Sequence, residues 1–134
     1  MSFQLHPQLA EDTLPIATLT HSDLRLMNDA RYPWCILVPR QPGLSSLHEL
    51  PVEMRSGVFD EIARVSTALL AEHGVERVNV GALGNIVQQL HIHVVGRWSG
   101  DPAWPGPVWG QGKAVPWQPA QALAICQRLG TAFG

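Results

Sequence analysis

The segment Gly84-Asn85-Ile86-Val87-Gln88-Gln89-Leu90-His91-Ile92-His93-Val94-Val95-Gly96-Arg97 sets two imidazoles two residues apart, with an amide before them and a guanidinium after. In an extended strand successive side chains point to opposite faces. Gln89, His91, His93, Val95 and Arg97 then share one face, and Leu90, Ile92, Val94 and Gly96 the other. The apolar face belongs in a core. The opposite face is a polar stripe suited to an anionic ligand, where an ordinary half-exposed strand would more often carry Thr, Lys or Glu. Two plainer readings use the same residues. The histidines are solvated or internally hydrogen-bonded, or they supply two of the three or four ligands that zinc needs. No cysteine or acidic residue stands close by in sequence to complete a zinc set.

The elements that position this stripe follow from hydropathy and turn signals. The first 14 residues read as loose or weakly helical. Pro15 to Thr20 and Asp23 to Asn28 read as a hairpin, with Leu24 and Leu26 alternating against Arg25 and Met27. Trp34 to Val38 is apolar throughout and is stopped by Pro39 and Pro42, as a central strand would be. Pro51 fits a first helical turn, and Val58, Ile62, Val65 and Leu69 fall on one helical face. His73 and Gly74 mark the end of that helix. Arg77 to Ala82 is a fourth strand with Val78 and Val80 on one side, and Gln88 to Trp98 a fifth. Ser99 to Pro119 is too rich in Pro, Gly and Trp for regular structure, and a last helix from Pro119 buries Ala122, Ile125 and Leu129. The class is α+β.

Composition narrows the functional classes. The chain has 134 residues, 46% of them hydrophobic and 15% charged, with a net charge of −2. That suffices for one core and offers no cationic field for nucleic acid. No long apolar run and no signal-peptide pattern occur, which predicts a cytoplasmic protein without a membrane partner. Cys35 and Cys126 stand far apart in apolar stretches and read as reduced structural residues. His6, His21 and His48 have no spacing that recommends them, and His48 precedes the Pro51 helix start.

Gln89-Leu90-His91-Ile92-His93-Val94-Val95 resembles the motif of the histidine-triad (HIT) family, in which three histidines alternate with apolar residues and two more apolar residues follow. The likeness extends from about Pro15 to Arg97. It takes in Arg25 to Asn28, Trp34 to Pro42 with its Val-Pro-Arg-Gln-Pro ending, the long helix and Asn79. It implies a HIT-like domain spanning 1–134, with an N-terminal segment 1–14, a core 15–98 and a tail 99–134. It further implies a five-stranded antiparallel sheet with one long helix and a C-terminal helix, and a homodimer whose two sheets join. The departure is Gln89 at the first triad position, because an amide hydrogen-bonds but carries no proton at neutral pH.

By resemblance His91 aligns with the nucleophile and His93 with the histidine that contacts phosphate. The activity implied is attack on the α-phosphorus of a nucleoside phosphate derivative, a dinucleoside polyphosphate or a nucleoside phosphoramidate, through a nucleotidyl-histidine intermediate without a cofactor. The attacking nitrogen must be bare, so the other ring nitrogen must donate to a fixed acceptor such as a backbone carbonyl. His93, the Gln89 amide, Asn85 and backbone N–H groups near Gly84 are expected to surround the phosphoryl oxygens. Ile86 stands where relatives often place a hydroxyl. Asn28 aligns with the sugar contact, and Asn79 and Arg97 are further candidate contacts. Asn28 and Asn85 equally suit turns, Asn79 a strand end, and Arg97 a snorkelling strand end. Trp104 and Trp109 are candidates for stacking on a base. The alternative is a nucleotide-binding module that turns over weakly or not at all.

Overall fold

The computed structural model describes residues 2–134. A short helix α1 (Pro7–Asp12) leads into strands β1 (Thr13–Thr18), β2 (Ser22–Met27) and β3 (Trp34–Pro39). The long helix α2 (Val52–Leu70), strands β4 (Arg77–Gly81) and β5 (Ile92–Arg97) and helix α3 (Pro119–Gly130) follow. The five strands form one sheet in the order β1-β2-β3-β5-β4, with every pairing antiparallel. The histidine-bearing strand thus lies in the interior of the sheet, which fits the expected α+β class.

One face of the sheet is covered by helices. Leu24, Leu26, Cys35, Leu37, Ile92 and Val94 pack beneath Val58, Val65 and Leu69 of α2 and Ile125 and Leu129 of α3. Both helices bury the faces that their spacing predicted, Ala122 included. The chain reverses after α2 through Gly74, whose φ of +82° lies in the left-handed region that favours glycine. The α2 stripe also buries Glu61, whose carboxylate accepts the His21 backbone N–H at 2.8 Å. Among the described residues no helix is long and apolar enough to cross a membrane.

The other face carries Trp34, Ile36, Val38 and Val95, buried with Tyr32, Leu9 and Val108. Helix α1 and irregular chain cover it from the two ends of the sequence. β3 and β5 are therefore buried on both sides, where the polar stripe had predicted one open face for β5.

The structure departs from the sequence reading at several places. α2 ends at Leu70, short of His73 and Gly74. β5 starts at Ile92 and not at Gln88, because the β3–β5 ladder begins at the Leu37–Ile92 pair and β3 ends two residues later at Pro39, which has no N–H to donate. The preceding residues run as a loop, tied back where the Leu90 N–H meets the Leu44 carbonyl at 2.9 Å. The N-terminal segment contains a defined helix, and β1 begins at Thr13. Val80 does not share the burial of Val78: it is 50% exposed, because β4 is an edge strand.

Candidate active site

His91 sits just before β5, 8% exposed, and its Nδ1 lies 2.7 Å from the Gln89 carbonyl oxygen. A carbonyl only accepts, so Nδ1 carries the hydrogen, and the tautomer this bond selects has its bare nitrogen at Nε2. The tautomer is thus set by a backbone atom two residues away. His93, on β5, is fixed in the opposite sense. The indole Nε1 of Trp34 donates to His93 Nδ1 at 3.0 Å, and an indole N–H cannot accept, so the His93 hydrogen stands on Nε2. Burial, with the neighbouring His91, pushes the His93 pKa down to about 4, so the ring is neutral at physiological pH. The two rings lie edge to face with centroids 5.0 Å apart. A bare nitrogen and an N–H donor stand side by side.

Both rings line a cavity of about 560 Å³, within the usual range for small-molecule sites. Gln8, Leu9 and Asp12 of α1 form one wall, Gly84 to Val87 another, and Val108 to Gly112 with Ala114 a third. The third wall is held by a clamp on the loop before β3. Arg31 donates to Asp29 through Nε and Nη2 and to the Gln111 carbonyl through Nη1 at 2.7 Å, while Asp29 also accepts the Val115 N–H. Burial works to raise the Asp29 pKa, but these bonds outweigh it and hold the carboxyl below the usual range. Gly112, with φ +63°, passes where a Cβ would come within 2.9 Å of Arg31 Nη1.

The residues expected at the site separate into two groups. His91, His93, Asn85 and Trp109 line the cavity together, with Ile86 at its rim and 94% exposed. Trp109 stands edge-on to His93 and to Trp34, with centroids 5.5 and 6.5 Å apart. Its ring also closes over β4, where a Cβ on Gly81 would lie 2.9 Å from it. The others are used elsewhere. Arg97, read as a phosphate contact or a snorkelling end, is 1% exposed and donates to Asp101, to Asn79 Oδ1 and to the Gly106 carbonyl. Those bonds organise the tail and engage Asn79 as well. Asn28 accepts the Trp117 N–H at 2.9 Å. Trp104 covers the Arg97 guanidinium at 5.6 Å and does not line the cavity. Gln89 turns its amide to the N-terminal segment, accepting from the His6 N–H and donating to the Gln4 carbonyl.

Sequence reasoning missed Trp34, Asp29, Arg31 and the α1 wall. The signal for Trp34 is that a buried indole N–H needs an acceptor, which His93 supplies.

An α+β sheet thus sets two imidazoles, each with one ring nitrogen fixed by a hydrogen bond, against one cavity. The sequence matches the HIT domain over residues 10–100, and the chain belongs to the HIT family. It is similar to the crystal structure of a histidine triad protein from Sinorhizobium meliloti 1021 (44% identity, 97% of this chain and 96% of that one, TM-score 0.94). It is likewise similar to a histidine triad protein from Marinobacter aquaeolei VT8 (41%, 99% and 97%, 0.95) and to one from Bradyrhizobium japonicum (36%, 100% and 100%, 0.96). No curated protein matches the chain.

Proposed function

We propose that the protein is a nucleotidyl hydrolase or transferase that cleaves at the α-phosphate of a nucleoside phosphate derivative, with His91 as nucleophile. The observation that carries this reading is the bond between His91 Nδ1 and the Gln89 carbonyl, which leaves Nε2 free for attack. In the first step Nε2 forms a bond to phosphorus, and the leaving atom departs with the electron pair of the broken bond and takes a proton from water. The nucleotidyl imidazolium keeps its Nδ1–H on the Gln89 carbonyl, which stabilises the positive charge. Water then attacks phosphorus, the N–P bond breaks, and the nucleoside monophosphate leaves with His91 restored. The neutral His93 donates from Nε2 to a phosphoryl oxygen, with Asn85 as a second donor.

Charge narrows the substrate. Of the ionised side chains lining the cavity, Arg31 is already paired with Asp29, and Asp12 accepts from Gln8. A polyphosphate chain would meet no uncommitted cation there, so a nucleoside phosphoramidate with one phosphoryl charge fits better than a dinucleoside polyphosphate. The reading takes residues 1–134 as one HIT-like domain with no cofactor, in the cytoplasm, where the free Cys35 and Cys126 stay reduced. Homodimerisation by joined sheets is supported by the open edge of β4 and the half-exposed Val80 on it.

A second reading, a binder without turnover, is favoured by Gln89 facing away from the cavity and by the apolar Ile86 at its rim, which leave few donors for a phosphoryl group. Incubation with adenosine 5′-phosphoramidate, followed by quenching and mass spectrometry, separates the two. The enzyme reading predicts a nucleotidyl adduct on the His91 peptide and a loss of turnover of at least about 10³-fold in His91→Ala. Turnover that survives His91→Ala would overturn it, and tight binding without adduct would favour the binder.

A further inference from the structure

Gln89 occupies the triad position where a third histidine was expected, and its side chain does something specific. Its Oε1 accepts the His6 backbone N–H at 2.8 Å and its Nε2 donates to the Gln4 carbonyl at 2.9 Å. One side-chain amide thereby meets the carbonyl of one residue and the N–H of the residue two further on, as a neighbouring β-strand would. The segment it meets behaves as a strand in burial. Phe3 and Leu5 pack against the cluster that contains Trp34 and Val108, while Gln4 and His6 face outward. The His6 ring then accepts the Gln8 N–H at 3.0 Å and starts α1. The far end of α1 is carried by the sheet, where the Asn28 N–H meets the Asp12 carbonyl at 3.0 Å. The near end is held by Leu9, buried in the same cluster, and by the strap that Gln89 pins.

We infer that Gln89 is a positioning residue: its side chain pins Phe3–His6 as a strap across the histidine loop, so that α1 stands as a ligand-facing wall, and the amide itself does not touch the phosphoryl group. This rests on the nucleotide reading above for the identity of the ligand. The wall is acceptor-rich, since Asp12 lines the cavity and Gln8 Nε2 is committed to both of its oxygens at 2.9 Å. It suits a hydroxyl or amine donor of the ligand and repels a second phosphate. Gln89 joins this wall to the chemistry, because its backbone carbonyl is the atom that sets the His91 tautomer.

The test compares the wild type with Gln89→Ala, a chain lacking residues 2–6, and the two changes combined. Amide hydrogen exchange without nucleotide reads the strap. Residues 3–12 should lose protection in Gln89→Ala while β3 and β5 keep theirs, and unchanged protection overturns the inference. AMP binding and adenosine 5′-phosphoramidate kinetics read the wall. Gln89→Ala should weaken AMP binding about tenfold, the loss in kcat/KM should fall on KM more than on kcat, and the truncation should give a similar loss with no further loss in the combination. Gln89→Glu, which still accepts from His6 but cannot donate to Gln4, should recover part of the loss. A loss in kcat alone, or additive losses, would mean that the amide contacts the reacting group and would overturn the inference. A wild-type chain that does not bind AMP would sink the nucleotide reading and the wall's role with it, while exchange still decides whether Gln89 anchors the strap.

Discussion

The two faces of the sheet are built from the same strands by different means. Beneath α2 and α3 the strands present aliphatic side chains and Cys35, and the cover is a pair of helices with apolar stripes. On the opposite face they present Trp34, His93 and Arg97, and the cover is the six-residue α1 and irregular chain from the two ends of the sequence. Helical cover is secured mainly by area, at roughly 1.5–3 kcal/mol for each buried large aliphatic side chain, with the Glu61–His21 bond beside it. Irregular cover needs directional pins, here the Asp29–Arg31 clamp, the Arg97–Asp101 pair, Gln89 and the Trp34–His93 bond. Chemistry sits on the pinned face because only fixed polar atoms set a tautomer.

If that division holds, the two faces fail differently. The largest effect is expected from Asp101→Ala. It leaves the Arg97 guanidinium buried without its carboxylate, and urea unfolding should show a loss of about 4 kcal/mol. Leu37→Ala, at a fully buried position under the helices, should cost about 3 kcal/mol by the same measurement while KM for adenosine 5′-phosphoramidate stays unchanged. A shift in KM there would break the division.

Acid should act mainly through the pinned face. His93 is pushed down to about 4 in the folded chain, so below its unfolded value of about 6.5 the unfolded chain binds the proton more readily. Stability is then lost as pH falls from about 6.5 toward 4, by up to about 3 kcal/mol from this group. The lowered Asp29 and Asp101 carboxyls add losses at lower pH still. Urea titrations at pH 7 and pH 4.5 read this. The smallest effect is Trp34→Phe, which keeps a ring in place but removes the donor to His93, and kcat should fall by about tenfold to a hundredfold with little change in stability.

What the sequence made legible follows the same division. Val58, Val65 and Leu69, and Ala122, Ile125 and Leu129, repeat at helical spacing, so both helices and their buried sides were readable. The His91–His93 pair was readable because its two-residue spacing is local. The pins were not, because no period links their members. Gln89 meets residues 83 and 85 positions away, Arg31 reaches Gln111 across 80, and Trp34 meets His93 across 59. Phe3, Leu5 and Leu9 follow neither a single helical nor a single strand period, so the strap and α1 read as loose chain. Arg97 and Asn79 looked like ligand contacts because their polarity was visible in the sequence and Asp101's claim on Arg97 was not.

The central claim is that His91 holds its hydrogen on Nδ1 and leaves Nε2 bare. Nitrogen-15 NMR of the histidine side chains at pH 7.5 measures this directly. The account predicts a protonated, hydrogen-bonded Nδ1 and an unprotonated Nε2 for His91, with the reverse arrangement for His93. A hydrogen on Nε2 of His91 in the resting protein would contradict it.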